Sequence, residues 1–217
     1  VDPDEVIRLC EEEYAKKNFK KHEVKTADFN EPREIAKKEE KHKLSIFEKQ
    51  FCLGYKETPH SKSERMKNDL LQKVILDVIC DETSSLYREL YDEGLINDMF
   101  EAGDLSAEDY LCFTFNGESK YPERVILRLK EEIARVKKEG IDAERFDEIK
   151  RSLVGSLICA FDNTEAIASN MLNCHFKGCG IYDIINTAKE ITKEDAEMLL
   201  VRLFDPERSA VSLVEPQ

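Results

Sequence analysis

The clearest pattern along the chain is a helical stripe of apolar residues in its first half. We expect a helix over about Ser63–Cys80, because apolar residues recur there at the spacing of one helix face, at Leu70, Leu71, Val74, Ile75 and Val78. A short helix over Ser85–Tyr91 should follow and end at Gly94. The same periodicity predicts further helices over about 125–136, 146–160, 164–176 and 182–188, and one that begins at Thr192. These helices make up most of the second half of the chain.

The strand-like segments are fewer and do not alternate regularly with helices. One is predicted over Leu44–Tyr55, where one face would carry Phe47, Phe51, Leu53 and Tyr55. Two more, Leu95–Ala102 and Tyr110–Phe115, flank a turn-like Gly-Asp-Leu-Ser segment and predict an antiparallel pair. A last strand covers Ser209–Val214. This order predicts an α+β fold in which helices pack on one face of an antiparallel sheet.

The composition changes near residue 43 and predicts a division of the chain. Residues 1–17 read as one helix, with Asp2 as its N-cap and Pro3 in its first turn. Residues 18–43 are dense in charges of both signs and read as a linker, and residues 44–217 carry almost all of the net charge of −13. We therefore expect a helix that belonged to a preceding domain, a linker and one acidic domain. The start at Val1 instead of a Met agrees with a piece of a longer protein.

Charge and cysteine content exclude several classes of function. An acidic chain with a pI of about 4.9 lacks the clustered positive charge on which nucleic-acid binding depends. No uncharged apolar run is long enough to cross a membrane. We therefore expect neither a nucleic acid nor a membrane as a partner. Seven cysteines, an odd number mostly within apolar stretches, indicate reduced thiols and predict a cytoplasmic protein.

The residues offer no catalytic group and no metal site of their own. The four histidines, His22, His42, His60 and His175, lie too far apart for the paired histidines of a zinc peptidase. Cys174, His175 and Cys179 leave open a metal- or thiol-dependent site, although a helix end followed by a loop explains the same segment. Tyr87 and Tyr91, one helical turn apart beside Arg88, fit either a substrate-facing patch or packing against the core.

One segment resembles a known family. Ser84-Ser-Leu-Tyr-Arg-Glu-Leu-Tyr-Asp-Glu-Gly-Leu95 is similar to a segment of the insulinase (pitrilysin and mitochondrial-processing-peptidase-like) zinc peptidases, the inverzincins. The stretch from Arg151 to Ala168, the Ile191-Thr-Lys-Glu-Asp195 helix start and the Asp205–Pro216 ending also resemble that family. The opening Val1-Asp-Pro-Asp-Glu5 is similar to the start of the last helix of the preceding family domain.

The resemblance implies a role for the chain as half of a larger enzyme. Family members pair two homologous domains, of which the first binds zinc and the second closes a peptide-holding chamber. This chain resembles the second domain of a bacterial member. The resemblance thus implies zinc in the intact protein, bound by an N-terminal domain that is missing here, and a peptide substrate. The alternative is a catalytically inactive homologue that acts as a scaffold or assembly subunit.

The resemblance also points to candidate substrate-binding residues, namely Tyr87, Arg88, Tyr91 and Asn97. In many members the second domain supplies an Arg and a Tyr that hold the peptide. Aligned on Leu86, Leu90 and Gly94, those positions fall on Tyr91 and about Asn97, so both polar anchors are replaced. In some bacterial systems a homologous partner subunit carries the Arg and Tyr, and the segment here is similar to the zinc-bearing type of subunit. We therefore expect such a partner for the intact protein.

Overall fold

The chain divides into two units, Val1–Asn30 and Glu31–Gln217. The computed structural model describes residues 2–17, 31–61, 63–107 and 109–217. Within the first unit, helix α1 (Pro3–Lys16) is confirmed, and the Asp2 side chain accepts a hydrogen bond from the amide of Asp4 as its N-cap. That this helix belongs to a preceding domain stays a prediction. Residues 18–30 of the predicted linker lie outside the described residues.

The second unit is built on a five-stranded sheet. Its strands are β1 (Glu39–Leu44), β2 (Gln50–Glu57), β3 (Glu101–Ser106), β4 (Leu111–Glu118) and β5 (Ser209–Pro216), in the order β1-β5-β2-β4-β3. The pairs β5–β2, β2–β4 and β4–β3 are antiparallel, whereas β1 runs parallel to β5. The predicted α+β class is confirmed, with one parallel pair at the sheet edge.

Seven helices follow or interrupt the strands among the described residues of this unit. They are α2 (Arg65–Cys80), α3 (Ser85–Asp92), α4 (Pro122–Glu139), α5 (Ala143–Cys159), α6 (Thr164–Lys177), α7 (Ile181–Glu190) and α8 (Lys193–Arg202). The Ser84 hydroxyl caps α3, and Thr192 and Asp195 form a reciprocal capping box at the start of α8. None of the helices in the described ranges is both long and apolar enough to cross a membrane.

The core lies between the helices and one face of the sheet. Along β2, the side chains of Phe51, Leu53 and Tyr55 are buried, while the residues between them are half-buried on the opposite face. β4 repeats this alternation. The apolar stripe of α2 packs into the same core, so that prediction is confirmed for Leu70, Leu71, Val74, Ile75 and Val78.

Two strand predictions were wrong in their boundaries. Phe47 does not share the buried face of β2, because it lies before the strand and is 99% exposed. The predicted strand over Leu95–Ala102 begins only at Glu101, and the segment taken as the hairpin turn, 103–106, lies inside β3. Leu95 and Ile96 are buried for another reason, since they follow α3 and anchor the chain after Gly94, whose φ is +63°.

The charged segment 39–43, which the sequence placed in a linker, is part of the sheet. β1 pairs along its length with β5, from Glu39 opposite Val211 to Leu44 opposite Pro216. Its side chains are exposed except for the half-buried Glu40, so no apolar alternation marks it. Backbone pairing at a sheet edge does not need an apolar face, and charged side chains there discourage further pairing.

Asp77 gives the second unit a pH-dependent stability. Burial in α2 raises the pKa of this carboxyl from 3.8 to about 6, with Lys73 opposing the shift. Between these values the folded chain holds more protons than the unfolded chain, so stability falls as the pH rises from about 4 to 6. Because solvent screens this half-buried carboxyl, Asp77→Asn should raise the free energy of unfolding at pH 7 by about 1–2 kcal/mol, less than the full shift implies, and flatten this dependence.

Urea unfolding at a series of pH values measures this effect. Asp92→Asn, a change at an exposed carboxyl at the end of α3, serves as the control and should alter stability at pH 7 by less than about 0.5 kcal/mol. An Asp77→Asn profile parallel to the wild-type profile would refute the assignment.

Candidate functional site

Within the described residues of the second unit, the sheet has a face opposite the core that helices α2–α8 do not cover. On it lie the half-buried residues that alternate with the core positions, among them Cys52 and Gly54 of β2 and Thr114 and Asn116 of β4. The strand register aligns them in rows. One row holds Ser212, Cys52, Asn116 and Glu101, and the next holds Ala210, Gly54, Thr114 and Gly103. The second row has only small side chains, so a ligand backbone can approach the strands closely there.

A groove of about 320 Å³ lies on this open face, and we call it the sheet-face groove. Two carboxylates, Glu101 and Glu118, and the amides of Gln50 and Asn116 supply its polar groups. The remaining lining is mostly apolar or small, contributed by Phe51, Cys52, Met99, Gly117, Ser212 and Val214. The groove therefore offers an apolar surface with hydrogen-bond acceptors and amides, which suits an extended peptide better than a phosphate.

The candidate tyrosines lie on α3, where they contact each other. The rings of Tyr87 and Tyr91 stack with their centroids 6.0 Å apart, and Tyr87 also packs against Phe100 at 6.0 Å. Tyr87 is half-buried, whereas Tyr91 is 47% exposed. The charge of Asp98 and a hydrogen bond to its carboxylate raise the pKa of Tyr91. Tyr87 thus joins the edge of the core, and Tyr91 keeps a solvent-facing phenol.

Asn97 connects this segment to the sheet-face groove. Its side-chain amide donates to Glu118 Oε2 at 3.3 Å, and its Oδ1 accepts from the amide of Met99 at 2.9 Å. Both of these partners line the groove. Arg88 is exposed on α3 and has neither a hydrogen bond nor an ion pair among the described residues. The structure therefore places Asn97 at the groove and the tyrosine pair beyond it. A substrate contact for these four residues remains a prediction.

The segment around Cys174 forms a helix end. The amides of Gly178 and Cys179 donate to the carbonyls of His175 and Cys174, and Gly178 has a φ of +73°, which is the pattern of a Schellman cap. Cys174 is buried beneath this cap, whereas His175 is exposed. No group of three or more potential metal-ligating side chains comes together within the described ranges. The described residues thus do not fit a zinc ion.

Sequence reasoning found the α3 segment but missed the groove itself. The sequence signal lies in β2 and β4, where the polar or small residues Cys52, Gly54, Thr114 and Asn116 alternate with buried apolar residues. The contributions of β5 and Met99 could not be read in the same way, because they depend on strand order and on the path of a loop.

Comparison with known proteins agrees with the fold and with the family resemblance. Residues 1–153 match the family model described as the peptidase M16 inactive domain. The uncharacterized zinc protease YmfH of Bacillus subtilis is 24% identical over 221 residues, covering 100% of this chain and 51% of that protein.

Two solved structures share the fold across the whole chain. An M16-like peptidase from Alicyclobacillus acidocaldarius matches with a TM-score of 0.91 and 24% identity, over 100% of this chain and 52% of that one. A protease from Helicobacter pylori matches with a TM-score of 0.83 and 16% identity, over 100% of this chain and 53% of that one. The chain therefore spans about half the length of these relatives. Because the family model covers well over half of the chain, the protein belongs to the M16 peptidase family, as its inactive domain.

Proposed function

We propose that this chain is the non-catalytic half of a zinc-dependent endopeptidase, and that its open sheet face closes a peptide-binding chamber opposite the zinc-bearing half. The family membership carries this proposal, together with the lack of a metal-ligand cluster among the described residues. Zinc would be held by the other half, and the partner of this chain is that N-terminal zinc domain.

The open sheet face supports the chamber-wall role. A wall must present surface to a substrate without supplying the chemistry, and the sheet-face groove combines an apolar floor with amides and carboxylates. The neighbouring row of Ala210, Gly54, Thr114 and Gly103 leaves room for a peptide backbone. Contacts at such a wall accelerate cleavage by orienting the peptide.

The thiols and the charge support the cellular context of this proposal. All seven cysteines are free, which supports a reducing compartment and hence a cytoplasmic location in a bacterium. The net charge of −13 supports a peptide substrate over nucleic acid or an anionic membrane. A homologous subunit that carries the Arg and Tyr anchors is part of the proposal for the intact protein.

Metal analysis and peptide cleavage test this role. The purified 217-residue chain should contain no stoichiometric zinc and should cleave no peptide, because no metal-ligand set is found among its described residues. One zinc per chain, or cleavage that a chelator stops, would overturn the proposal.

A substitution in the protein that contains both halves tests the open face. Thr114→Trp should lower kcat/KM by at least about tenfold, since the indole fills the row of small residues and displaces the peptide. Leu127→Trp, on the exposed side of α4, is the control and should leave kcat/KM unchanged. Equal activity of the two variants would show that the open face does not contact substrate.

A further inference from the structure

A second pocket lies on the face of the sheet that the helices cover, between α4 and the start of β5. It has a volume of about 510 Å³, and we call it the α4 pocket. Its floor is the edge of the core, where Tyr55, Ile133 and Phe204 are at most 3% exposed. Its rim is formed by Lys130, Ala134, Lys137, Lys138, Pro206 and Ser209.

Tyr55 lines this pocket, and its hydroxyl has no hydrogen-bond partner among the described residues. Tyr55 is 2% exposed, and its ring packs edge-on against Phe115 and Phe204. None of the described residues forms a hydrogen bond with its hydroxyl. Every fully buried side-chain oxygen or nitrogen among the described residues has a hydrogen-bond partner. The phenol oxygen is therefore not fully sealed, and Tyr55 lines the α4 pocket. A ligand acceptor that enters the pocket would replace water as the partner of this hydroxyl.

This phenol is a hydrogen-bond donor at any ordinary pH. Burial raises the pKa of Tyr55 to about 12, so the hydroxyl keeps its proton. An occupant of the pocket should therefore present an acceptor to the floor, and a charged acceptor makes the stronger bond.

Three lysines surround the pocket and indicate the charge of its occupant. Lys130, Lys137 and Lys138 stand at positions i, i+7 and i+8 on α4, around Ala134. None of them forms an ion pair with the described residues, although the chain carries 46 acidic side chains. Lys137 donates to the carbonyl of Leu203 at 2.6 Å, which leaves Lys130 and Lys138 free to meet a ligand.

We propose that the α4 pocket binds a small amphiphilic carboxylate. The carboxylate accepts the hydrogen bond of Tyr55 and is neutralised by Lys130 and Lys138, whose long side chains reach over the rim. The apolar body covers Ala134, Pro206 and the accessible edge of Phe204. Apolar lining with a few convergent polar groups is the usual construction of a small-molecule site. This site lies apart from the open sheet face and does not depend on the proposed function.

Calorimetric titration with octanoate tests the proposal, with octylammonium as a matched ligand of opposite charge. The 217-residue chain should bind octanoate in a saturable way with a Kd below about 1 mM, and octylammonium at least about tenfold more weakly. The proposal is overturned if octanoate shows no saturable binding up to about 10 mM, or if the two ligands bind equally.

Three variants separate the contributions of the pocket. Tyr55→Phe keeps the ring and should weaken octanoate binding by about 2- to 12-fold, the value of one hydrogen bond. Lys130→Gln combined with Lys138→Gln should weaken it by about tenfold. Ala134→Trp adds an indole at an exposed helix position and should abolish binding.

A lysine outside the pocket provides the control. Lys189→Gln, at an exposed position on α7, should bind octanoate like the wild type. Because Ala134→Trp lies on the surface, it stays informative even if Tyr55→Phe fails to fold. Undiminished octanoate binding by folded Ala134→Trp would place the ligand elsewhere and refute the site.

Discussion

Replacing Phe204 by alanine should lower the free energy of unfolding by about 3–5 kcal/mol, the range for removing a fully buried phenylalanine. Phe204 is 1% exposed and lies at the centre of an aromatic cluster. Its ring centroid is 5.3 Å from that of Tyr55, 5.1 Å from that of Phe113 and 6.1 Å from that of Phe115. Truncation therefore removes three ring contacts and leaves a cavity between the sheet and α4.

The backbone at Phe204 makes this position unusual. Its φ is +57°, the left-handed region that residues with a Cβ avoid at a cost of roughly 1–2 kcal/mol. Two charged side chains fix the preceding peptide group. The amide of Phe204 donates to Glu57 Oε1 at 2.6 Å, and Lys137 donates to the carbonyl of Leu203 at 2.6 Å. The strain is thus held by polar contacts from β2 and α4.

A comparison of two variants tests this account. Phe204→Gly removes one carbon more than Phe204→Ala but relieves the left-handed strain, so it should be at least as stable as the alanine variant. At a buried position with ordinary backbone angles, the glycine variant would be less stable than the alanine variant. Met198→Ala, on the exposed side of α8, is the control. Denaturant unfolding measures all three. A glycine variant less stable than the alanine variant by about 1 kcal/mol would contradict the strain assignment.

The core of the fold was predictable because buried faces of helices and strands make apolar residues recur at a regular spacing in the sequence. The stripe of α2 and the alternation of β2 and β4 each report a face that packs against the core. β1 shows no periodic apolar pattern, because its residues Glu39–Leu44 are almost all exposed and only their backbone pairs with β5. The prediction for Phe47 was wrong for the opposite reason. A single apolar residue three positions before β2 extends the apparent alternation without being buried.

The candidate site was predictable only as far as it is local in sequence. Tyr87, Tyr91 and Asn97 lie within one helix and the following turn, so a short motif could point to them. The sheet-face groove joins Met99, Asn116 and Val214 from three separate segments. The α4 pocket likewise joins Tyr55 to lysines some 75 or more residues away. Such sites depend on strand order and helix packing, which residue spacing does not encode.

In the intact protein, Tyr91→Arg combined with Asn97→Tyr should fail to restore the function of the Arg and Tyr anchors of related enzymes. An arginine at position 91 would meet Asp98, the carboxylate that now interacts with the phenol of Tyr91, and its guanidinium would be paired instead of free. A tyrosine at position 97 would lose the bonds that Asn97 makes to Glu118 and Met99. We therefore expect peptide cleavage by this double variant to stay within about threefold of the wild type.

A homologous subunit that carries both anchors should instead raise cleavage by about 100-fold or more, because a preorganised donor fork stabilises developing charge more strongly than the single hydroxyl of Tyr91. In that mixed complex we expect the Arg and Tyr anchors to hold the peptide, so Tyr91→Ala should change kcat/KM only modestly, through the lost stacking on Tyr87. Steady-state kinetics of the intact protein, with and without the partner, measures both effects. Full activity without any partner, silenced by Tyr91→Phe, would make the Tyr91 hydroxyl the substrate anchor and exclude the division of labour between subunits.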